Sequence, residues 1–303
     1  MPNVWTHICF CESVVDTLRN PDPFAKQETL MSLGAQGSTP LYFNFWRLIQ
    51  NRPVKNMNLL LHDKKYNDFL LDIIESAKNE RIEVQSYVFG FITNYILDYH
   101  IDPFICYFAG GRKKDQRKLE TYIDTLLMEK HHNLQTWKTA VYKEIDVGFS
   151  IDKDIVDVFQ HNIKKYFPKM NISNKTIQKA YRNMKFTLRL LADPYGWKNT
   201  LFGTIISPYS YQPIKDDRDY LNLNRESWYL PHTKEIKTDS FEDLYEQAKI
   251  VAIEIMTEVL TYWHQKSDIA KKNLQKLIGN LTIDKNLILG DGIFDTVKDR
   301  STI

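Results

Sequence analysis

The chain has 303 residues, of which 43% are hydrophobic and 26% are charged, and its formal net charge is +2. These values are ordinary for a soluble globular protein with a sizeable core. The near-neutral charge gives no reason to expect nucleic acid or a membrane surface as a partner. With 11 glycines and no Gly-rich phosphate-binding motif, the chain is not expected to use a P-loop or a dinucleotide-binding fold.

The N-terminal residues do not look like a targeting segment. Met1–Leu18 has no basic region, and Glu12 and Asp16 interrupt its apolar residues. No stretch approaches the ~20 apolar residues that a membrane span needs. The three cysteines are an odd number, which is not typical of a secreted disulfide framework. The sequence therefore predicts a cytoplasmic protein without a transmembrane segment.

The first helices are predicted from apolar positions at helical spacing and from the residues that end them. Thr6 is a candidate N-cap for a first helix that ends before residues 20–23, the sequence N-P-D-P. A second, short helix is expected from about Ala25 to Leu33, before a Gly-rich break. The other helices predicted before residue 80 are Leu41–Ile49 and Tyr66–Lys78.

Residues 84–124 are the centre of the predicted organisation. Apolar residues recur at helical spacing in two segments, which are expected to be separate helices because Pro103 ends the first. Each segment carries two polar residues four apart, which lie on one face of a helix. Facing pairs of this kind build sites between the helices of a bundle. The two pairs are Asn94 with Asp98 and Gln116 with Glu120.

The second half of the chain continues with helical patterns and one long polar stretch. The stretch, Ser207–Asp239, is rich in Tyr, Asn, Asp and Pro, and loops of this length are often functional. No convincing strand pattern occurs, so the sequence predicts an all-α, multi-helix bundle. The predicted helices are Ile155–Phe167, Thr176–Ala192, Phe241–Trp263 and Asp268–Ile278. The predicted division is a helical region at 1–150 that holds the site, a second helical region at 151–282 packed on it, and a tail at 283–303.

Several side chains beside apolar helix faces have the chemistry of metal ligands, because zinc binds imidazole and carboxylate groups. Taken one at a time, each has a simpler interpretation. His100 is expected to follow a helix end, and Glu120 and Asp124 share their helix with basic residues and are candidates for solvated positions. Both interpretations stay open from the residues alone. The candidates are His7, His62, Asp98, His100, Asp102 and Glu120.

Five motifs in the first half resemble the zinc-dependent phospholipase C family (the phospholipase C/D domain). They occur in the family's order and with its spacing, and two further motifs, Y-L-N-L-N-R-E-S-W and S-F-E-D-L-Y, continue the resemblance in the second half. The resemblance implies an all-helical fold around up to three zinc ions that activate water to attack a phosphodiester. The five motifs are W-T-H, L-G-A-Q-G-S-T-P-L-Y-F, L-H before a helix, G-F-I-T-N-Y-I-L-D-Y-H-I-D-P-F-I and L-E-T-Y-I-D-T-L-L.

The resemblance also implies a ligand set. The family's early His matches His7, and its loop Asp falls on Thr39. The His ahead of the next helix matches His62. The family's His-x-x-x-Asp pair falls on Asn94 and Asp98.

The last two ligand motifs also depart from the family: Asp102 replaces an imidazole by a carboxylate, and Gln116 replaces one by a neutral amide. The His of the family's H-P step falls on Asp102, and its His-x-x-x-Glu pair falls on Gln116 and Glu120. Neutral amide and hydroxyl oxygens are poor zinc ligands, so a three-zinc centre is not expected. The implied metal ligands that remain are His7, His62, Asp98, Asp102 and Glu120.

Three functions follow from this pattern. The first is a family member with a depleted metal site and no or weak phosphodiester hydrolysis, which serves as a binding or structural protein. The second is an active phosphoesterase that uses fewer zinc or other divalent ions, since carboxylate oxygens suit Mg, Mn or Ca, and acts on a phospholipid or another phosphoester. The third is a helical interaction protein whose polar residues are satisfied core groups.

Overall fold

The computed structural model describes residues 4–18, 24–43, 64–198, 200–201, 210–230 and 233–281. These residues form nine α-helices, short 3₁₀ turns and one very short hairpin, so the predicted all-α fold is confirmed. Residues 39–43, at the start of the predicted helix Leu41–Ile49, are a 3₁₀ segment, and the rest of that prediction lies outside the described residues. The helices are α1 (Val4–Thr17), α2 (Glu28–Gly34), α3 (Lys64–Ala77), α4 (Ile82–Phe108), α5 (Lys113–His132), α6 (Lys153–Tyr166), α7 (Asn174–Leu191), α8 (Phe241–Gln265) and α9 (Asp268–Asn280).

The central element is α4, a 27-residue helix that contacts α1, α2, α3, α5, α6 and α8. The predicted break at Pro103 is wrong, because this residue lies inside the helix. A proline there removes one backbone hydrogen bond. The buried ring of Phe104, packed 5.7 Å from the ring of Trp228 and 5.8 Å from that of Phe241, holds the helix together beyond it. His100 therefore lies inside α4 and does not follow a helix end.

The contact between α2 and α4 depends on two glycines. A Cβ atom at Gly34 would overlap the carbonyl oxygen of Tyr87. A Cβ atom at Gly90 would overlap the carbonyl oxygen of Met31 and lie 2.6 Å from the amide nitrogen of Ala35. The two backbones are therefore in direct contact, which fixes the end of α2 against the middle of α4.

The second half adds helices whose predicted positions are confirmed. Ser240 and Asp243 form a capping box at the start of α8, which accounts for its sharp beginning. The polar stretch before α8 contains the hairpin, in which β1 (Trp228–Tyr229) pairs antiparallel with β2 (Ile236–Lys237). The sequence did not predict this hairpin, because strands of two residues are too short to show alternation.

The hydrophobic core is one continuous cluster that extends from Val4 in α1 to Leu281 after α9. Both halves of the chain contribute to it, since α8 packs on α1 and α4. Among the described residues, no helix is long and apolar enough to cross a membrane.

Candidate functional site

The residues proposed as metal ligands meet where α1, α4 and α5 come together. Because α4 continues through Pro103, Asn94, Asp98 and Asp102 are spaced four apart along one face of a single helix. His7 comes from the first turns of α1, and Glu120 comes from α5. His62 lies outside the described residues, so the structure places four of the five candidates.

His7 is held by two neighbours on α4. Its Nε2 atom lies 3.1 Å from Oδ1 of Asp98, and its Nδ1 atom lies 3.2 Å from Nδ2 of Asn94. The imidazole side chain is 8% exposed and the Asp98 side chain 32% exposed. The pair is therefore buried on the histidine side and partly open to solvent on the carboxylate side.

The orientation of Asn94 selects the tautomer of this histidine. Its Nδ2 atom lies 3.0 Å from the carbonyl oxygen of Ala35, which can only accept a hydrogen bond. The same amide nitrogen faces Nδ1 of His7, so Nδ1 accepts its second N–H. The remaining nitrogen, Nε2, then carries the proton and donates it to Asp98. Both nitrogens of His7 are occupied by protein groups.

Gly37 closes the pocket around the Asn94 amide. Its φ of 56° lies in the left-handed region, which favours glycine. A Cβ atom at this position would overlap Oδ1 of Asn94 and lie 2.6 Å from its Cγ atom. The turn that follows α2 is therefore shaped around the Asn94 side chain.

The other two acids, Asp102 and Glu120, lie in a negative environment. Burial raises the pKa of Asp102 well above its usual value, and the charges of Asp98 and Glu120 raise it further. Burial also raises the pKa of Glu120 to about 7, with Asp98 and Asp124 adding to the rise and Arg117 opposing it. At neutral pH, Asp102 and Glu120 together therefore carry less negative charge than two fully ionised carboxylates would.

Gln116, the residue on which the resemblance places a histidine, has its contact with a different side chain of α4. It forms a hydrogen bond with the thiol of Cys106. Burial raises the pKa of this thiol to about 11, and the nearby carboxylate of Asp102 adds to the rise. The cysteine stays protonated at neutral pH, and Gln116 is its hydrogen-bond partner.

The sequence did not identify Asp124 as important, and the prediction of a solvated position is wrong. This side chain is fully buried. It accepts hydrogen bonds from the backbone N–H of Trp5 at 3.3 Å, from the backbone N–H of Thr6 at 3.0 Å, and from the Thr6 hydroxyl. Asp124 rather than Thr6 caps the start of α1, where a negative charge stabilises free N–H groups and the helix dipole. The only sequence signal was its spacing of four from Glu120 on α5.

Three tyrosine side chains lie near Asp98 and Asp124. Tyr211, from the polar stretch before α8, donates a hydrogen bond of 2.6 Å to Oδ2 of Asp124. Burial raises the pKa of Tyr42 and Tyr66, and in both cases the negative charge of Asp98 adds to the rise. These phenols stay neutral, and the one of Tyr211 donates to a carboxylate.

The described residues do not fit the zinc centre that the resemblance implies. A zinc-bound histidine presents one bare nitrogen to the metal, whereas His7 uses both nitrogens in bonds to Asn94 and Asp98. Within the described parts of the chain, no group of three or more His, Cys, Asp or Glu side chains is arranged to hold a metal ion. We therefore derive no catalytic step through a metal.

An apolar cavity lies on the other side of the Gly37 turn. Gly37 and Ser38 line it. Its volume is about 40 Å³, which is room for roughly three water molecules. Its walls offer almost no polar atoms, and as it stands it is too small for an organic ligand. The side chains that form most of the wall are Tyr66, Phe69, Phe91, Phe159, Phe167 and Ile177.

Comparisons with known proteins give no match. No family model, no curated protein and no solved structure matches the chain significantly. The interpretation of the site therefore depends on its own geometry and on the motifs in the sequence.

Proposed function

We propose that the protein is a divergent relative of the zinc-dependent phospholipases C, in which hydrogen bonds take the place of the metal ions. In this proposal it has no or weak phosphodiester hydrolysis and acts as a helical binding or structural protein. The observation that supports it best is the double hydrogen bond of Asn94 to His7 and to the Ala35 carbonyl oxygen. The amide stands where the resemblance places a ligand, and it bonds His7, which is another of the implied ligands.

The chemistry of His7 supports the same conclusion. A general base needs an unprotonated nitrogen within reach of a substrate proton. The unprotonated Nδ1 of His7 accepts from Asn94 and faces the protein interior. The imidazole is therefore a connector between α1 and α4, and its bond to Asp98 completes the connection.

One observation favours the alternative, a phosphoesterase with fewer ions. The charge of Asp98 raises the pKa of both Asp102 and Glu120, and a cation between these carboxylates would relieve the repulsion. Carboxylate oxygens suit Mg or Mn better than zinc. This alternative requires a divalent ion in the purified protein.

The test is the metal content of the purified chain, by mass spectrometry, after incubation with Zn, Mn or Mg and removal of excess metal. We expect less than about a tenth of an equivalent of any of them. We also expect no hydrolysis of a chromogenic phosphocholine ester above the rate of the buffer. A stoichiometric ion together with metal-dependent hydrolysis would contradict the proposal and support the alternative.

A second experiment tests whether the residues correspond to the family's ligands as proposed. A variant that combines Thr39→Asp, Asn94→His, Asp102→His and Gln116→His restores the implied ligands, and we expect it to bind zinc more tightly than the natural chain. The matched control carries Thr39→Asn, Asn94→Gln, Asp102→Asn and Gln116→Asn at the same positions. Equal zinc affinity of two folded variants, checked by circular dichroism, would show that the correspondence is wrong.

A further inference from the structure

Exposed apolar side chains are concentrated at one end of α7. Ten large hydrophobic residues are exposed among those that the structure describes, and five of them lie between residues 186 and 201. Phe186 is 65% exposed, Tyr195 89% and Trp197 52%. Single exposed hydrophobic residues are normal, but a group of this size in a short segment indicates an interaction surface. The five residues are Phe186, Leu190, Tyr195, Trp197 and Leu201.

The chain geometry places three of these side chains, Phe186, Leu190 and Trp197, near the same end of α7. Phe186 and Leu190 are four apart on α7 and therefore share one face. The turn after the helix folds back on it, because Nζ of Lys198 donates to the carbonyl oxygens of Leu190 at 2.8 Å and of Ala192 at 2.7 Å. Trp197, next to Lys198, is thereby placed beside the end of α7. We call this surface, formed by the five exposed residues, the α7 patch.

The opposite face of α7 is occupied by the protein itself. Tyr181 and Met184 are fully buried in the core. Nδ2 of Asn183 donates a 2.7 Å hydrogen bond to the carbonyl oxygen of Phe43. The α7 patch is therefore on an outward face, separate from the polar site and from the apolar cavity.

The charge around the α7 patch is strongly positive. Residues 174–201 contain six basic residues and one acidic residue, in a chain whose total net charge is +2. The acidic residue, Asp193, is 2% exposed. Lys185 is paired with Asp146, whereas Arg189 is exposed in the last turn of the helix. The basic residues are Lys175, Lys179, Arg182, Lys185, Arg189 and Lys198.

Arg182 lies further along α7 and also combines a positive charge with an exposed aromatic neighbour. Its guanidinium lies 4.9 Å from the ring centre of Phe149, a side chain that is 80% exposed. Arg182, Phe186 and Leu190 are spaced four apart, so they form one stripe on α7. The stripe therefore combines one cation with two apolar side chains.

We propose that the α7 patch binds the surface of an anionic phospholipid bilayer. A helix with a basic polar side and exposed Phe, Leu and Trp lies in the interface of a membrane, where the aromatic and aliphatic side chains enter the headgroup region and the cations face anionic lipids. The average charge of the chain conceals this local excess. The wide spread of large apolar side chains distinguishes the patch from a nucleic-acid groove, which would need polar contacts to phosphates along its length.

The test uses the full chain and vesicles of phosphatidylcholine alone or with about one third phosphatidylserine, with binding measured by co-sedimentation. We expect binding to the anionic vesicles that weakens in high salt and is at least about tenfold weaker for the neutral ones. The variant Phe186→Ser/Trp197→Ser is expected to lose at least about tenfold in affinity. The variant Arg182→Gln/Arg189→Gln is expected to lose about fivefold for each cation, for anionic vesicles only.

The matched control is Ile250→Ser/Ile269→Ser, which removes two equally exposed hydrophobic residues from α8 and α9. Its vesicle binding is expected to be unchanged. No binding of the natural chain to anionic vesicles would overturn the proposal, as would an equal loss in the control variant. Light scattering measures whether the natural chain is a dimer. If it is, and the variant Phe186→Ser/Trp197→Ser is a monomer, the α7 patch binds a second copy of the chain and not a membrane.

Discussion

The helix α4 contacts its neighbours in two different ways. Against α2 it presents Gly90, so that backbone meets backbone without side chains in between. One and two turns further, it presents Asn94 and Asp98, which form hydrogen bonds to His7 of α1. The first contact is specified by shape, and the second is specified by the pairing of donors and acceptors.

The two contacts differ in how they tolerate change. A close backbone contact excludes every side chain larger than hydrogen, whereas a hydrogen-bonded contact can exchange its groups if donors and acceptors remain matched. They are also linked, since the glycine contact positions Ala35, whose carbonyl oxygen then accepts from Asn94. Substitutions in each contact should therefore differ in size and in their dependence on pH.

The largest effect is expected for Gly90→Ala. The added methyl group overlaps the Met31 carbonyl oxygen, so either α2 or α4 must move and the Asn94 hydrogen bond to Ala35 is displaced with it. We expect a loss of about 3–5 kcal/mol in the free energy of unfolding, measured by urea denaturation.

The matched control for this substitution is Gly279→Ala. Gly279 lies near the end of α9, and a Cβ atom there has open space around it. Alanine is the better helix former, so we expect a gain of about 0.5–1 kcal/mol. A loss for Gly90→Ala no larger than about 1 kcal/mol would contradict the close backbone contact.

The second effect is expected for Asn94→Leu, which keeps the size of the side chain but removes its donors. The Ala35 carbonyl oxygen and Nδ1 of His7 then lose their partner in a buried site. We expect a loss of roughly 2–4 kcal/mol in the free energy of unfolding at neutral pH.

Asn94→Asp distinguishes the contribution of the hydrogen bonds to stability from the contribution of side-chain packing. At pH 8 its carboxylate cannot donate to Ala35 and is close to Asp98, so the loss should be at least as large as for leucine. In mild acid a protonated carboxyl group can donate again, and the loss should shrink. Equal losses at both pH values would show that the donors of Asn94 contribute little.

The contrast between the two contacts also explains what the sequence could predict. Apolar periodicity gave the helices of the second half, because their buried faces repeat at helical spacing. Pro103 was misread as an end because the packing of Phe104 against Trp228 and Phe241 joins residues more than 120 positions apart. Such contacts leave no local signal. The same is true of Asp124, whose partners at Trp5 and Thr6 are 119 and 118 residues away.

The candidate site was also predicted only in part: its residues were predicted, but their hydrogen-bond partners were not. Spacing and family motifs selected His7, Asp98, Asp102 and Glu120, and the fold brings these four residues to one place. The identity of their partners was not predictable, because it depends on the turn after α2. Gly37 and the carbonyl oxygen of Ala35 decide which way the Asn94 amide points, and a carbonyl group carries no sequence signature.

The smallest of the expected effects is the dependence of stability on pH that Glu120 causes. Burial and the charges of Asp98 and Asp124 raise its pKa from the usual 4.5 to about 7 in the folded protein. The folded state therefore holds a proton that the unfolded chain releases, and this contribution to stability is lost as the pH rises from about 4.5 to about 7. We expect the loss that Glu120 causes over this range to be roughly 2–3 kcal/mol.

Glu120→Gln removes the titrating group with little change in shape, so the free energy of unfolding should fall less between pH 5 and pH 7.5 than in the natural chain. Glu12 provides the matched comparison, because burial and the charges of Glu28 and Asp16 also raise its pKa to about 7, in a different part of the fold. If the two groups act independently, the effects of Glu120→Gln and Glu12→Gln on the pH dependence should add within about 0.5 kcal/mol. An unchanged pH dependence in Glu120→Gln would mean that solvent relieves the charge of this carboxylate, and that the polar contact of α4 is more open than its hydrogen bonds indicate.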